Sequence, residues 1–142
     1  FSVDNYGGSV AMMRHLVARG HRHIALIAGP EHNFEAQERL RGYRDIMAQL
    51  LPDTEELVLQ GDFSEESGWR AGSQILALAQ RPTAVFAAND MMAIGCLFAL
   101  CKLQLKLGCI RTLLLHLIRN QVEFGLADAV MRTKYFPNLT LA

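Results

Sequence analysis

The chain carries no excess charge of either sign: 14 Lys and Arg balance 14 Asp and Glu across 142 residues. It therefore lacks the basic footprint of a domain that binds nucleic acid by itself. It also lacks long apolar runs. Every hydrophobic stretch stops after a few residues, far short of the roughly 20 that a membrane-spanning helix needs, so no membrane partner is expected. No initiator Met and no signal peptide stand at Phe1, which reads as a piece of a longer, cytoplasmic chain. Cysteine is scarce and odd in number: Cys96, Cys101 and Cys109. No pair forms CxxC, and His21 and His23 are far from all three. Buried thiols in a reducing compartment fit better than disulfides or a metal site.

Catalytic patterns are missing as well. There is no GxGxxG, no GxxxxGK[ST] and no GxSxG. Gly7-Gly8-Ser9 at a helix start is a weak anion signal. His15, His21, His23, His32 and His116 have no evident nucleophile to serve. Glu55-Glu56 and Glu65-Glu66 are adjacent pairs that read as solvated helix starts. The basic group Arg19, His21, Arg22 and His23 is explained by the negative end of the preceding helix. Neither an enzyme nor a resident cofactor or metal is expected.

What the sequence does have is a core. Apolar residues make up 51% and charged residues 20%, which excludes intrinsic disorder. A domain of this size buries roughly two thirds of its unfolded surface. Val10, Met13, Leu16 and Val17 are spaced as one helical face over residues 9–19, and Gly20 follows as a C-terminal cap. Residues 24–29, IALIAG, form an unbroken apolar run suited to a strand covered on both faces. A second helix is predicted over 35–51 and ends at Pro52. A strand follows at 57–60, then a helix over about 65–79 with Ser64 as its N-cap. Residues 83–88, TAVFAA, read as a third strand. Asn89-Asp90 opens a helix to about 103, with Asp90 as the cap. LLLHLI at 113–118 reads as a fourth strand.

Strands alternating with amphipathic helices imply an α/β fold: a parallel sheet in a three-layer αβα arrangement with right-handed crossovers. Such sheets bind ligands beyond the carboxyl ends of their strands. Those ends read GPEHNF (29–34), GDFS (61–64) and AND (88–90). Arg39, about one turn into the second helix, offers a planar fork of donors to paired hydroxyls or a carboxylate; the plainer alternative is an ion pair with Glu35 at i−4. Phe63 can stack on a sugar ring or a base, or pack under its own loop. Asn89 can donate to and accept from a ligand hydroxyl. Asn33 and Phe34 can line the same mouth, or be ordinary loop residues. These are the residues of a binder rather than of acid–base catalysis.

Residues 3–30 (VDNYGGSVAMMRHLVARGHRHIALIAGP), 38–43 (ERLRGY), 60–69 (QGDFSEESGW) and 81–95 (RPTAVFAANDMMAIG), in that order, resemble the LacI/GalR family of bacterial transcription regulators. The tail 134–142 is similar to that family's YxxPxLTT segment. The resemblance implies part of a periplasmic-binding-protein-like (type I) effector domain, in which two α/β lobes close on a sugar, nucleoside or purine. Residues 1–22 would be a remnant of the amino-terminal lobe, 23–118 the carboxyl-terminal effector-binding lobe, and 119–142 a divergent tail. It further implies that Arg39 reaches effector hydroxyls, that Phe63 stacks on the effector and that Asn89 contacts it. Operator DNA would be bound as a homodimer, through a helix-turn-helix that this chain does not contain. A transport sugar-binding protein is the alternative with the same fold; a signal peptide upstream in place of a helix-turn-helix would mark it.

Two departures accompany the resemblance. Where the family has GLxVPxDxSVVGFDD, residues 103–133 read LQLKLGCIRTLLLHLIRNQVEFGLADAVMRT. The acidic effector ligand that ends that strand therefore has no counterpart. A compensated frame shift or local sequence error accounts for this, as does an authentic insertion. Helix 9–19 also carries an apolar face expected to pack on strands outside this chain. Leaving such side chains in water forfeits roughly 1.5–3 kcal/mol each, so the isolated piece is expected to be marginal, dimeric or aggregating.

Overall fold

A computed structural model describes residues 3–107 and 114–117, with side chains through residue 100. The elements are α1 (Asn5–Ala18), β1 (Ile24–Ala28), α2 (Phe34–Leu50), β2 (Leu57–Gln60), α3 (Glu65–Ala77), β3 (Ala84–Ala87), α4 (Asp90–Leu107) and β4 (Leu114–Leu117). The four strands form one sheet in the order β2-β1-β3-β4, every pair parallel. The expected α/β architecture is therefore present, with the fourth apolar run serving as the strand beside β3. The tail 119–142 and the side chains of 101–133 lie outside the described residues.

Alternation along the buried strands builds two cores. Ile24, Leu26 and Ala28 of β1, with Ala84 and Phe86 of β3, face Met13, Leu16, Tyr43, Ile46 and Met47 of α1 and α2. Ala25, Ile27, Val85 and Ala87 face Ala71, Ile75, Met92 and Cys96 of α3 and α4. Successive strand residues point to opposite faces, so an unbroken apolar run is what a sheet covered on both sides requires.

The expectation that the first helix lacks partners within the chain is corrected. Met13 and Leu16 are fully buried against this chain's own α2 and β1. Packing is continuous across residue 22. The helix also starts earlier than residue 9, because the Asp4 carboxylate accepts from Gly7 N at 2.7 Å and caps it. Gly7 thus lies inside the first turn with its N–H already engaged. The expected cap at Gly20 is present: at φ +94 it lets His21 N reach Leu16 O (3.1 Å) and Gly20 N reach Val17 O (3.0 Å), the paired bonds of a Schellman ending.

Ser64 caps α3 as predicted, accepting from Ser67 N at 3.0 Å. At α4 the cap is Asn89 rather than Asp90. Its Oδ1 accepts from Met92 N at 3.0 Å, and Asp90 is already the first helical residue. The residue just outside the helix is the one placed to turn its side chain back onto the N–H groups two and three residues on.

Candidate functional site

The sheet order fixes where a site belongs. From β1 the chain turns to α2 on one face, and from β3 it turns to α4 on the other. These adjacent strands leave in opposite directions, which opens a crevice beyond their carboxyl ends. The residues bordering it are Gly29, the loop after Gly61, and Asn89.

Phe63 reaches this crevice from the loop after β2. Its ring lies over the end of β1, so a Cβ placed on Gly29 would stand 2.7 Å from Phe63 Cζ and 2.8 Å from Ala36 Cβ. The ring is half-buried, and Phe63 has a φ of 72°, the one left-handed non-glycine among the described residues. Asn89 Nδ2 donates to the Phe63 carbonyl at 2.9 Å. Gln60 Nε2 donates to Gly29 O at 2.8 Å and to Gly61 O at 3.0 Å, tying the ends of β1 and β2 together.

Asp62 sits beside Phe63 and folds back on its neighbours. Its Oδ1 accepts from Ser64 N at 2.9 Å and from the Ser64 hydroxyl. These bonds, with Ser67 and the Arg70 charge behind them, hold its carboxyl down to about 2. It is an ionised acceptor at the rim at any ordinary pH.

Arg39 stands on α2, the helix that follows β1. Helices α1 and α2 both begin at this edge of the sheet, and Arg39 lies between them with only 13% of its side chain exposed. Nη2 donates to Asn5 Oδ1 at 2.7 Å and stands 3.6 Å from Glu35 Oε2. Nε is buried and meets no acceptor among the described residues. Burial lowers its pKa, with Glu35 opposing the shift, yet guanidinium stays charged throughout the working range.

The sequence candidates therefore separate into groups. Phe63 and Asn89 are bonded to each other. Asn33 is at the same edge but caps α2, its Oδ1 accepting from Ala36 N at 2.9 Å. Phe34, the next residue, presents its ring to solvent at 76% exposure. Arg39 has its i−4 partner as expected, but its shorter bond is to Asn5, which sequence reasoning missed. Gln60 and Asp62 were missed too. The pattern Asp62-x-Ser64 signals a turn closed by the Asp side chain, so Asp62 had a local signature. Asn5 had none, being 34 residues from Arg39.

Phe63, Asn89 and Gln60 are tied together at the ends of β1, β2 and β3, while Arg39 is tied to Asn5 and Glu35. Among the described residues no three His, Cys, Asp or Glu side chains gather to hold a metal, and no helix is long and apolar enough to cross a membrane. Cys96 is buried, and burial pushes its thiol up to about 12, which makes it a core residue.

Comparison with known proteins gives this geometry a family. The profile of the periplasmic binding protein-like domain matches residues 13–108. The chain belongs to that family. Within it, the likeness is to LacI/GalR regulators. The HTH-type transcriptional repressor PurR of Escherichia fergusonii is 44% identical over 99 residues, which are 68% of this chain and 29% of that protein. A putative LacI regulator from Bacillus cereus subsp. cytotoxis superposes with a TM-score of 0.72 at 31% identity, covering 89% of this chain and 44% of that one. A LacI-family regulator from Enterococcus faecium with bound ribose gives 0.63 at 27% identity, covering 70% and 37%. The chain thus spans about three tenths of the length of the curated repressors it matches. It is a partial effector-binding domain of the periplasmic-binding-protein-like fold.

Proposed function

We propose that this chain is the effector-sensing part of a LacI/GalR-type transcription regulator, and that a small ring-bearing ligand, a sugar or a nucleoside or purine, binds beyond the carboxyl ends of β1, β2 and β3. Arg39 and Phe63 carry the contacts; Asn89, Asn33 and Phe34 complete the mouth. Operator binding belongs to a helix-turn-helix outside residues 1–142, in a cytoplasmic homodimer whose affinity for DNA the effector changes. The relatives and solved structures named above are regulators rather than enzymes, which favours sensing over turnover.

The observation that carries this reading is Arg39. Its guanidinium is largely buried on the helix that follows β1, and its Nε–H has no partner among the described residues. A buried donor without an acceptor destabilises a protein by about 1–3 kcal/mol. A cation held in that condition suits an incoming ligand that brings acceptors. A polyhydroxylated ring and a purine both bring them.

The test is a calorimetric titration of the full-length protein with hypoxanthine, guanine and D-ribose, repeated on Arg39→Ala. A hydrogen bond to a charged group contributes about 1.5–3 kcal/mol, so the variant should bind its effector about 10- to 150-fold more weakly. An unchanged dissociation constant would remove Arg39 from the site. A substrate consumed on binding would replace sensing with catalysis.

A further inference from the structure

We propose that Asn89 is a positioning residue: it holds the Phe63 ring over the end of β1 by fixing the Phe63 main chain in its left-handed conformation. The inference rests on the reading that Phe63 faces the effector, and it assigns Asn89 a role exerted through that ring.

A bulky side chain at φ near +70° is unfavourable in isolation, and such residues persist only where their surroundings hold them. Two clamps surround Phe63. On one side the Asp62 carboxylate accepts from Ser64 N at 2.9 Å and closes a turn across Phe63. On the other, Asn89 Nδ2 donates to the Phe63 carbonyl at 2.9 Å. The first clamp is local to the loop and travels with it. The second is the bond that ties the loop to the β3–α4 junction, 26 residues away.

The amide of Asn89 can face only one way. Met92 N is a donor, so the atom that meets it at 3.0 Å must be the oxygen. That leaves the nitrogen toward the Phe63 carbonyl. One side chain thus caps α4 and anchors the loop, and the rigidity of the helix start is passed to the ring. Aspartate can cap equally well but has no donor for the carbonyl when ionised. Asn89→Asp therefore separates the two tasks. The floor beneath the ring is already shaped for this position, since Gly29 has no Cβ to obstruct it.

The experiment is a double-mutant cycle on the full-length protein with Asn89→Asp, Phe63→Ala and the pair. Hypoxanthine and D-ribose serve as titrants. Alongside it, brief chymotrypsin digestion without ligand is read by mass spectrometry for cleavage after Phe63. We expect Asn89→Asp to weaken binding about 10-fold when Phe63 is present and less than 2-fold in the Phe63→Ala background. We also expect it to speed cleavage after Phe63 at least 5-fold, with thermal unfolding little changed because the cap survives. Equal weakening in both backgrounds would mean that Asn89 touches the effector directly and would overturn the proposal. Unchanged cleavage after Phe63 would also overturn it, whatever the binding result. If Phe63→Ala leaves binding intact, or neither titrant binds, the effector-site reading fails instead, and the cleavage rate alone still decides whether Asn89 holds the loop.

Discussion

Adding one methyl group to Gly95 should unfold more of this protein than any surface change, because α3 and α4 meet there backbone to backbone. A Cβ on Gly95 would overlap the Glu65 carbonyl oxygen and stand 2.8 Å from Trp69 N and 2.9 Å from Glu65 C. A Cβ on Gly68 would stand 2.6 Å from both Cα and C of Met92. Ordinary contact begins at 3.4 Å, so α3 and α4 must part by about 1.5 Å to admit either methyl, and close-packed interiors resist such shifts. Overpacking that flexible side chains can absorb costs about 1–3 kcal/mol. Here the obstruction is main chain, so we expect the upper end, about 3 kcal/mol, for Gly95→Ala and slightly less for Gly68→Ala. Gly8 supplies the control. It is an exposed residue of α1 with nothing within 4 Å of its Cβ position. There only helix propensity operates, and alanine should stabilise by roughly 0.5–1 kcal/mol. Urea unfolding followed by far-ultraviolet circular dichroism would measure all three. The reasoning fails if Gly95→Ala is as stable as the parent, or if Gly8→Ala loses as much as Gly95→Ala.

Three further outcomes follow from single groups. Tyr43 donates to Ile24 O at 2.9 Å and accepts from Leu57 N at 3.1 Å, joining α2 to both β1 and β2; Tyr43→Phe should cost about 2 kcal/mol, since two main-chain groups lose a partner at about 1 kcal/mol each, and a urea midpoint identical to the parent's would contradict this. Cys96, with its thiol raised to about 12 by burial, should react with iodoacetamide at pH 8 at least about 100-fold more slowly than a free cysteine, and prompt alkylation mapped to Cys96 would show that the α3–α4 core opens. Asp62 has a folded pKa of about 2, below its ordinary value of 3.8, so its bonds to Ser64 stabilise fully above the ordinary carboxylate range. That contribution is lost as pH falls from about 4 through 2. Melting temperatures of the parent and Asp62→Asn should therefore differ at pH 6 and converge near pH 2, and a gap that does not narrow would reject the assignment.

The parts of the fold that could be read from the sequence are those set by near neighbours. IALIAG and TAVFAA are unbroken because both faces of their strands are covered, and Gly20, Ser64 and the acidic first turn of α3 act within a few residues of themselves. The helix start at Asn5 was missed because Gly7-Gly8 has poor helix propensity, which the Asp4 cap and the packing of α1 on α2 override. Asn33 and Asn89 were visible as polar residues at strand ends, but their role as caps depends on where each helix begins. That boundary is the least certain feature of a single sequence. The bond from Asn5 to Arg39, the bridge through Tyr43 and the seat of Phe63 over Gly29 all join segments separated by 14 to 34 residues, and no local pattern encodes them.

The two edges of the sheet differ in how completely their local demands are met. At the edge where the strands begin, Gly20 closes α1, Arg22 donates to Val17 O and His21 O, Arg81 donates to Leu76 O, and Thr83 N pairs with His23 O. Among the described residues no non-glycine there has a left-handed backbone, although Leu50 at the end of α2 is exposed. At the edge where the strands end, Phe63 is held left-handed, Arg39 keeps a buried N–H without an acceptor, and Phe34 exposes most of its ring at the first position of a helix. A sequence selected for stability alone would remove such conflicts one by one, since each costs free energy. All three lie at the edge where an open parallel sheet receives ligands, the edge that the proposed site occupies. Under the proposed function, an acceptor for the Arg39 Nε–H is what the folded chain leaves for a ligand to bring.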